Sequence, residues 1–456
     1  MNSESPSFAV FSLLRKRAGV QSARISALVA PLLLAWSAHA KPADDTAPDS
    51  VEQYTISSAL ERALSHNFQV TEAEKELEKQ QQLAQNIRGK LLPQLGATGS
   101  YNKTDTGLIP SVGDRAFGNA MNWNGAVELS QQIFSGGSGI NAYRKQQLVA
   151  DAAELGVKTI KQKVIYETKK AFFDVLLARR TIEVQEQLIR LREETLASEK
   201  SKFEAGTISH FEVLRAEVAL ANSRTPLIQA NNALSLSEEE LKRVLVLPLG
   251  PINVEGKLET DTLPITTIDQ ARAAALERRP DLQQLDLLVK SRERGVEVQL
   301  AEYLPKITAY SNYTYRNNPF GGSGTLDGWQ VGVRGTWNIF DSFAREGAVA
   351  AARSDQQLAQ IDLDRLRQEM AIEVSQAMLS WTEAQQLLAA SQQVVTQAAE
   401  SERLARARLE VGAATQLDVL DAQVQLTEAR TNEIKALHKL NLTKAAIERA
   451  VGGFPG

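Results

Sequence analysis

Residues 203–220 read FEAGTISHFEVLRAEVAL, and residues 409–426 read LEVGAATQLDVLDAQVQL. Over 204–220 and 410–426, 7 of 17 positions are identical. Each copy centres on a glycine, Gly206 or Gly412, between segments whose apolar residues recur at three-four spacing, the period of an α-helix. Glycine accepts the left-handed backbone that ends a helix. Ser209-x-x-Glu212 and Thr415-x-x-Asp418 then read as capping boxes that start the next one. Each stretch is expected to be the turn of a helical hairpin, with tips at about 206–209 and 412–415.

The duplication extends outward from these turns. TISSALERAL from Thr55 matches TIDQARAAAL from Thr267, KLLPQLGATGSY from Lys90 matches EYLPKITAYSNY from Glu302, and QQIFSGG from Gln131 matches WNIFDSF from Trp337. Matches recurring in the same order in both halves mark an internal duplication. The first repeat spans 54–247 and the second 267–452. Pro248, Pro251 and Pro264 interrupt any helix in the linker 248–266, which has room for small strands. Each repeat has the order helix, strand, strand, long helix, shorter helix. The first helix is expected over about 55–89 and its counterpart up to Pro305. The long helices, over about 138–205 and 344–411, run roughly 100 Å at 1.5 Å per residue. Two shorter helices stacked end to end match that length and supply the lateral partners a long helix needs.

Four segments alternate in polarity instead, at about 94–102, 122–134, 306–316 and 329–340. Leu95, Ala97, Gly99 and Tyr101 oppose Gln94, Thr98, Ser100 and Asn102. Trp123, Val127, Leu129 and Ile133 oppose Asn124, Glu128, Ser130 and Gln132. In the second repeat Ile307, Ala309, Tyr313 and Tyr315 form one face, as do Trp329, Val331, Val333, Trp337 and Ile339. Segments of about 9–12 residues with this pattern suit transmembrane β-strands. Tyr101, Trp123, Trp329 and Trp337 are placed to form interfacial girdles. Four strands cannot close a barrel, for which about eight is the practical minimum, so several copies must pool strands. The glycine-rich connection holding Gly322, Gly324 and Gly328 lacks the strand-then-helix context of a nucleotide loop and reads as a surface loop.

Composition agrees. The 456 residues carry a formal charge of −4, too mild for a nucleic-acid binder. There are no cysteines, hence no disulfide, thiolate site or acylated N-terminal cysteine. The four histidines include His66, His210 and His438, dispersed and without ligand spacing, so no metal site, cofactor or catalytic constellation is expected, and the chain reads as no enzyme. Arg15, Lys16, Arg17 and Arg24, the apolar run ISALVAPLLLAW and Ala38-His39-Ala40 form a signal peptide over 1–40, leaving a short segment 41–53. No later stretch is apolar enough to span a bilayer as a helix.

A duplicated chain of this order, with two pairs of membrane-length strands, resembles the TolC family of outer-membrane efflux proteins. The resemblance rests on Leu92-Pro93-Gln94-Leu95, Ile133-Phe134-Ser135-Gly136-Gly137, the Gly206 and Gly412 turns, and Asp418-Val419-Leu420-Asp421. It implies a mainly α fold with a β-barrel portion: a homotrimer whose twelve strands form one outer-membrane barrel, continued by a periplasmic α-helical barrel. It also implies partners, a periplasmic adaptor and an inner-membrane pump, and outer-membrane lipid around the barrel. Gly206, Thr207, Gly412 and Ala413 would be the docking tips. Asp418 and Asp421, with Glu212 on the other tip, would form a cation-selecting constriction. Leu409 and Ala414 stand where the family's best-known constriction has a tyrosine and an arginine, so a lock here would use other pairs; Arg215 or Arg408 with the acids are candidates, and the resemblance assigns neither. The expected function is an exit duct for efflux or type I secretion. The alternative is a periplasmic adaptor or structural coiled-coil protein without a pore.

Overall fold

The computed structural model describes residues 53–109, 111–112, 115–116, 118–260, 263–265, 267–318 and 324–453. The signal peptide expected over 1–40 lies outside the described residues. In chain order the elements are β1 (Gln53–Tyr54), α1 (Ile56–His66), α2 (Phe68–Lys90), β2 (Gln94–Lys103), β3 (Ser111–Val112), β4 (Arg115–Ala116), β5 (Met121–Phe134), α3 (Ser138–Glu204), α4 (His210–Leu245), β6 (Asn253–Val254), α5 (Ile268–Arg278), α6 (Pro280–Leu300), β7 (Lys306–Asn317), β8 (Thr325–Thr336), α7 (Ala344–Glu410) and α8 (Gln416–Ala450).

Helices α3 and α7 have 67 residues each. Their partners lie end to end as their lengths require. Beside α3, Gln80 and Glu74 of α2 meet Gln146 and Lys161, whereas Glu238 and Glu217 of α4 meet Arg179 and Lys200. The expected helix over 55–89 is two helices, and this corrects the sequence reading. Its break falls at Asn67, whose ψ of 131° is extended. The buried Asn67 side chain accepts from the Gln69 amide at 2.9 Å and donates to the Val244 carbonyl at 2.9 Å, at the end of α4. One side chain thus caps α2 and ties the stacked helices together. The second repeat breaks at the matching place, Arg279, where Pro280 forces the preceding residue out of helical geometry. The Arg279 guanidinium binds Asp281, Glu373 of α7 at 2.5 Å and the Ala450 carbonyl at the end of α8.

Two apolar cores sit at these junctions. One joins Ala59 and Ala63 of α1 to Phe172, Val175, Leu241 and Leu245; the other joins Ala271 and Ala275 of α5 to Trp381, Met370, Leu440 and Ile447. The alanines occupy equivalent positions in the two repeats, and all four are fully buried. Within the linker, β6 pairs in parallel with β1 and closes over the first core.

The strands form one antiparallel sheet of order β2-β5-β7-β8. Its register aligns odd-numbered residues across all four strands: Ala97 opposite Val127, Val127 opposite Tyr313, and Tyr313 opposite Trp329. That face is exposed, with Leu95, Trp329, Val331 and Val333 each at least 65% accessible. An apolar face of this extent marks a surface made for a partner or a membrane. Tyr101 pairs with Trp123, whose ring lies 5.2 Å from that of Tyr315, so aromatics gather near one end of the sheet.

The fourth strand differs from the expected 329–340. It begins at Thr325 and stops at Thr336, paired with Lys306. Beyond that pair the partner residue is Pro305, which has no N–H to donate. Trp337 therefore leaves the ladder, and its indole donates to the Tyr303 carbonyl at 3.1 Å. Trp337 and Ile339 lie at the opposite end of the sheet from Tyr101 and Trp123.

Each repeat then turns sharply from strand to long helix. In the first, Gly136 and Gly137 take φ of 63° and 86°. A Cβ on Gly136 would stand 2.7 Å from the Ala301 carbonyl oxygen. In the second, the same two positions hold Ser342 and Phe343, at φ 56° and 68°. Arg345 clamps this corner: it binds Asp341 at 2.8 Å, donates to the Ile339 carbonyl and stacks over Tyr303. A left-handed residue other than glycine costs about 1–2 kcal/mol. Ser342→Gly should therefore raise the thermal unfolding midpoint of the purified protein in detergent. Gly136→Ala should lower it by more, through strain and a backbone clash together.

Candidate functional site

The two hairpin turns are built alike. Gly206 and Gly412 have φ of 72° and 74°, with open space around them. In the first turn the Gly206 amide donates to the Phe203 carbonyl and the Thr207 amide to the Lys202 carbonyl, both at 2.9 Å. In the second, Gly412 donates to Leu409 at 3.0 Å and Ala413 to Arg408 at 2.8 Å. These paired bonds define the Schellman motif, which satisfies the last carbonyls of a helix.

The restarts differ. Thr415 and Asp418 form the expected capping box: the Thr415 amide donates to the Asp418 carboxylate at 2.7 Å, and the Asp418 amide to the Thr415 hydroxyl at 3.3 Å. Ser209 and Glu212 do not, and this corrects the sequence reading. The Ser209 side chain makes no cap bond, and the Glu212 carboxylate turns to Arg215 at 3.3 Å. Position explains the difference. The residue equivalent to Arg215 is Asp421, which cannot pair with Asp418, so Asp418 is left to the backbone. Arg215 also stacks over Phe211, with its guanidinium carbon 4.8 Å from the ring centroid.

The three acids are not one cluster within a chain. Asp418 and Asp421 share the start of α8, whereas Glu212 stands on α4 and holds Arg215. Arg408 reaches across its own turn to the Ala413 carbonyl at 3.2 Å. The Thr415 amide and hydroxyl hold the Asp418 carboxyl below its ordinary range, with a smaller contribution from the Arg408 charge.

Sequence reasoning missed the group behind these acids. Arg192 of α3 is 4% exposed and donates from Nη2 to the Leu420 carbonyl of α8 at 3.0 Å. Its signal was periodic. Gln185, Arg192 and Glu199 recur at seven-residue intervals along α3 and are all buried, as are Gln416 and Gln423 of α8. A helix facing an apolar core would carry leucine or valine at that spacing.

His438 lies between α8 and α3, with Nε2 2.6 Å from the Asp174 carboxylate, a contact spanning 264 residues. His210 packs its ring against Phe203 within the first turn, and the Ser65 hydroxyl lies 2.8 Å from Nδ1 of His66.

The family model described as "Outer membrane efflux protein" matches residues 59–245 and 271–453, one segment in each repeat. The chain is 24% identical over 414 residues to Protein CyaE of Bordetella pertussis, covering 89% of this chain and 85% of that one. It is 23% identical over 375 residues to Outer membrane protein TolC of Vibrio cholerae, covering 80% and 83%. The solved structure of the outer membrane protein VceC from Vibrio cholerae superposes with a TM-score of 0.74 at 17% identity, over 87% of this chain and 96% of that one.

Because the folded state lowers the Asp418 pKa, its cap contributes fully above the ordinary aspartate value of 3.8 and is lost as pH falls through the lowered value. Hydrogen exchange should show the Thr415 amide protected at neutral pH and unprotected in strong acid. Asp418→Ala should abolish that protection at every pH.

Proposed function

The chain belongs to the outer membrane efflux protein family, and from that premise we propose how it works. It is an outer-membrane exit duct that conducts cargo passively, for an inner-membrane pump and a periplasmic adaptor, in efflux or type I secretion. The observation that carries this reading is the joining of two surfaces in one chain. A sheet with an exposed apolar face and two open edges, β2 and β8, continues into helices long enough to cross a periplasm.

Hydrocarbon cannot satisfy the backbone groups of an open edge, so β8 of one copy pairs with β2 of the next. Three copies close a barrel of twelve strands, within the size range that leaves an interior passage. The odd-numbered face meets lipid, with Tyr101, Trp123 and Trp329 toward one interface and Trp337 toward the other. The helices continue the wall, and the six hairpin tips ring the far mouth. Gly206, Thr207, Gly412 and Ala413 present the surface on which an adaptor docks. Asp418 and Asp421 from three copies make two rings of carboxylates that favour cations and repel anions, and Glu212 adds charge on the alternate tips. A periplasmic adaptor or coiled-coil rod has no use for the apolar sheet face. The reading needs no catalytic step: the wall conducts, and the pump supplies the work.

Purified protein in planar bilayers should show discrete openings with a preference for cations. Asp418→Ala combined with Asp421→Ala should reduce that preference severalfold and relieve block by multivalent cations; unchanged selectivity would remove the acids from the constriction. Photo-crosslinking probes at Thr207 and Ala413 in cells should capture an adaptor subunit. Capture of none at either position would show that the tips do not face a partner.

A further inference from the structure

The sheet has a second face, and its chemistry is the opposite of the first. Even-numbered residues align across the strands as the odd ones do: Gln132 opposite Thr308 and Thr308 opposite Arg334, Ser130 opposite Tyr310 and Tyr310 opposite Gly332. On this face β2, β5, β7 and β8 carry four charged residues, Glu128, Lys306, Arg316 and Arg334. Lys306 is neutralised by Glu302 at 2.7 Å. Both arginines are exposed, and among the described residues neither makes an ion pair. Arg334 stands near the helical end of the sheet and Arg316 near the loop end. Glu128 lies between them, level with Asn312 and Gln330.

Arg334 has a seat, and Arg316 does not. The Tyr310 ring lies over Gly332, where a Cβ would come within 2.8 Å of its Cζ and hydroxyl oxygen. Gln330 donates to that hydroxyl at 3.4 Å. The Arg334 guanidinium carbon sits 5.0 Å from the ring centroid. The ring attracts the cation electrostatically and restrains it. The guanidinium donors lie in the cation's own plane, so a cation held over a ring keeps them free for an anion.

We propose that Arg334, seated on Tyr310, is a binding site for anionic groups, carboxylate or phosphate, on cargo crossing the barrel. This rests on the channel reading above, in which the odd-numbered face meets lipid and the even-numbered face lines the passage. Three copies bring three such guanidiniums to one level, a ring matched to a multivalent anion. The duct then has two tiers of opposite sign. Carboxylates at the mouth gather cations, and guanidiniums where the helical tunnel enters the barrel gather anions. Cargo carrying both charges is held by both tiers in turn.

The test is single-channel recording of the purified full-length protein in planar bilayers, with potassium pyrophosphate added on the barrel side as the probe. Pyrophosphate should block the wild-type current, and Arg334→Gln should weaken that block severalfold. Tyr310→Leu keeps the charge but removes the seat, and should weaken the block part of the way. Arg316→Gln removes an equal charge from the same passage without touching the seat, and should change the block much less. Discrete openings and thermal midpoints near wild type check that the variants fold. No block of the wild type, block unchanged by Arg334→Gln, or equal effects of the two arginine substitutions would each overturn the proposal. Wild-type protein that opens with a cation preference but ignores pyrophosphate removes this inference alone. Protein that forms no discrete openings removes the channel reading, and this inference with it.

Discussion

A strand edge left bare in hydrocarbon leaves its N–H and C=O groups unpaired, at several kcal/mol for each. This constraint governs the molecule. The sheet has four strands and two open edges, and its apolar face points outward. A single copy cannot resolve that in a membrane, and curling the sheet on itself would need about twice as many strands. Assembly is therefore a condition of the sheet's existence there. A closed ring of copies encloses a passage without any residue being dedicated to making a hole.

The helices obey a second geometric rule. A helix of 67 residues has an apolar stripe that no single short helix can cover. Both repeats solve this by stacking two helices alongside and mending the gap with one polar side chain, the buried Asn67 in the first repeat and the half-buried Arg279 in the second. The chemistry of the mend has diverged, but the place has not. The same holds at the strand-to-helix corner, where Ser342 and Phe343 keep a backbone shape that Gly136 and Gly137 adopt freely.

Much of this was legible in the sequence, for identifiable reasons. The tips were, because glycine at the end of a helical pattern supplies the left-handed residue that ends a helix. The strand faces were, because alternation is a direct image of the pleat. The end of β8 was not: Trp337 and Ile339 continue the alternation, and polarity carries no mark of where the neighbouring strand runs out of donors. The break at Asn67 has no proline to announce it; Pro280 marks its counterpart, but the sequence reading carried that helix unbroken to Pro305, and there too the structure has two helices. Asp418 was legible as a cap, but Glu212 was not legible as an ion-pair partner, since both follow a hydroxyl residue by three positions. Only the identity of residues 215 and 421 separates them. Arg192 and Leu420 are 228 residues apart, and no local rule joins them.

The equal length of α3 and α7 has a consequence for how such a chain can change. Deleting one residue from α3 alone would shorten it by about 1.5 Å and rotate everything beyond the deletion by about 100°. Arg192 would then point away from Leu420, and the Gly206 tip would stand out of step with the Gly412 tip. The two helices behave as a matched pair of rulers. Length polymorphism is thus confined to paired changes in both repeats, to steps near seven residues that restore the facing after two turns, or to the loops beyond the sheet, where no ruler is read.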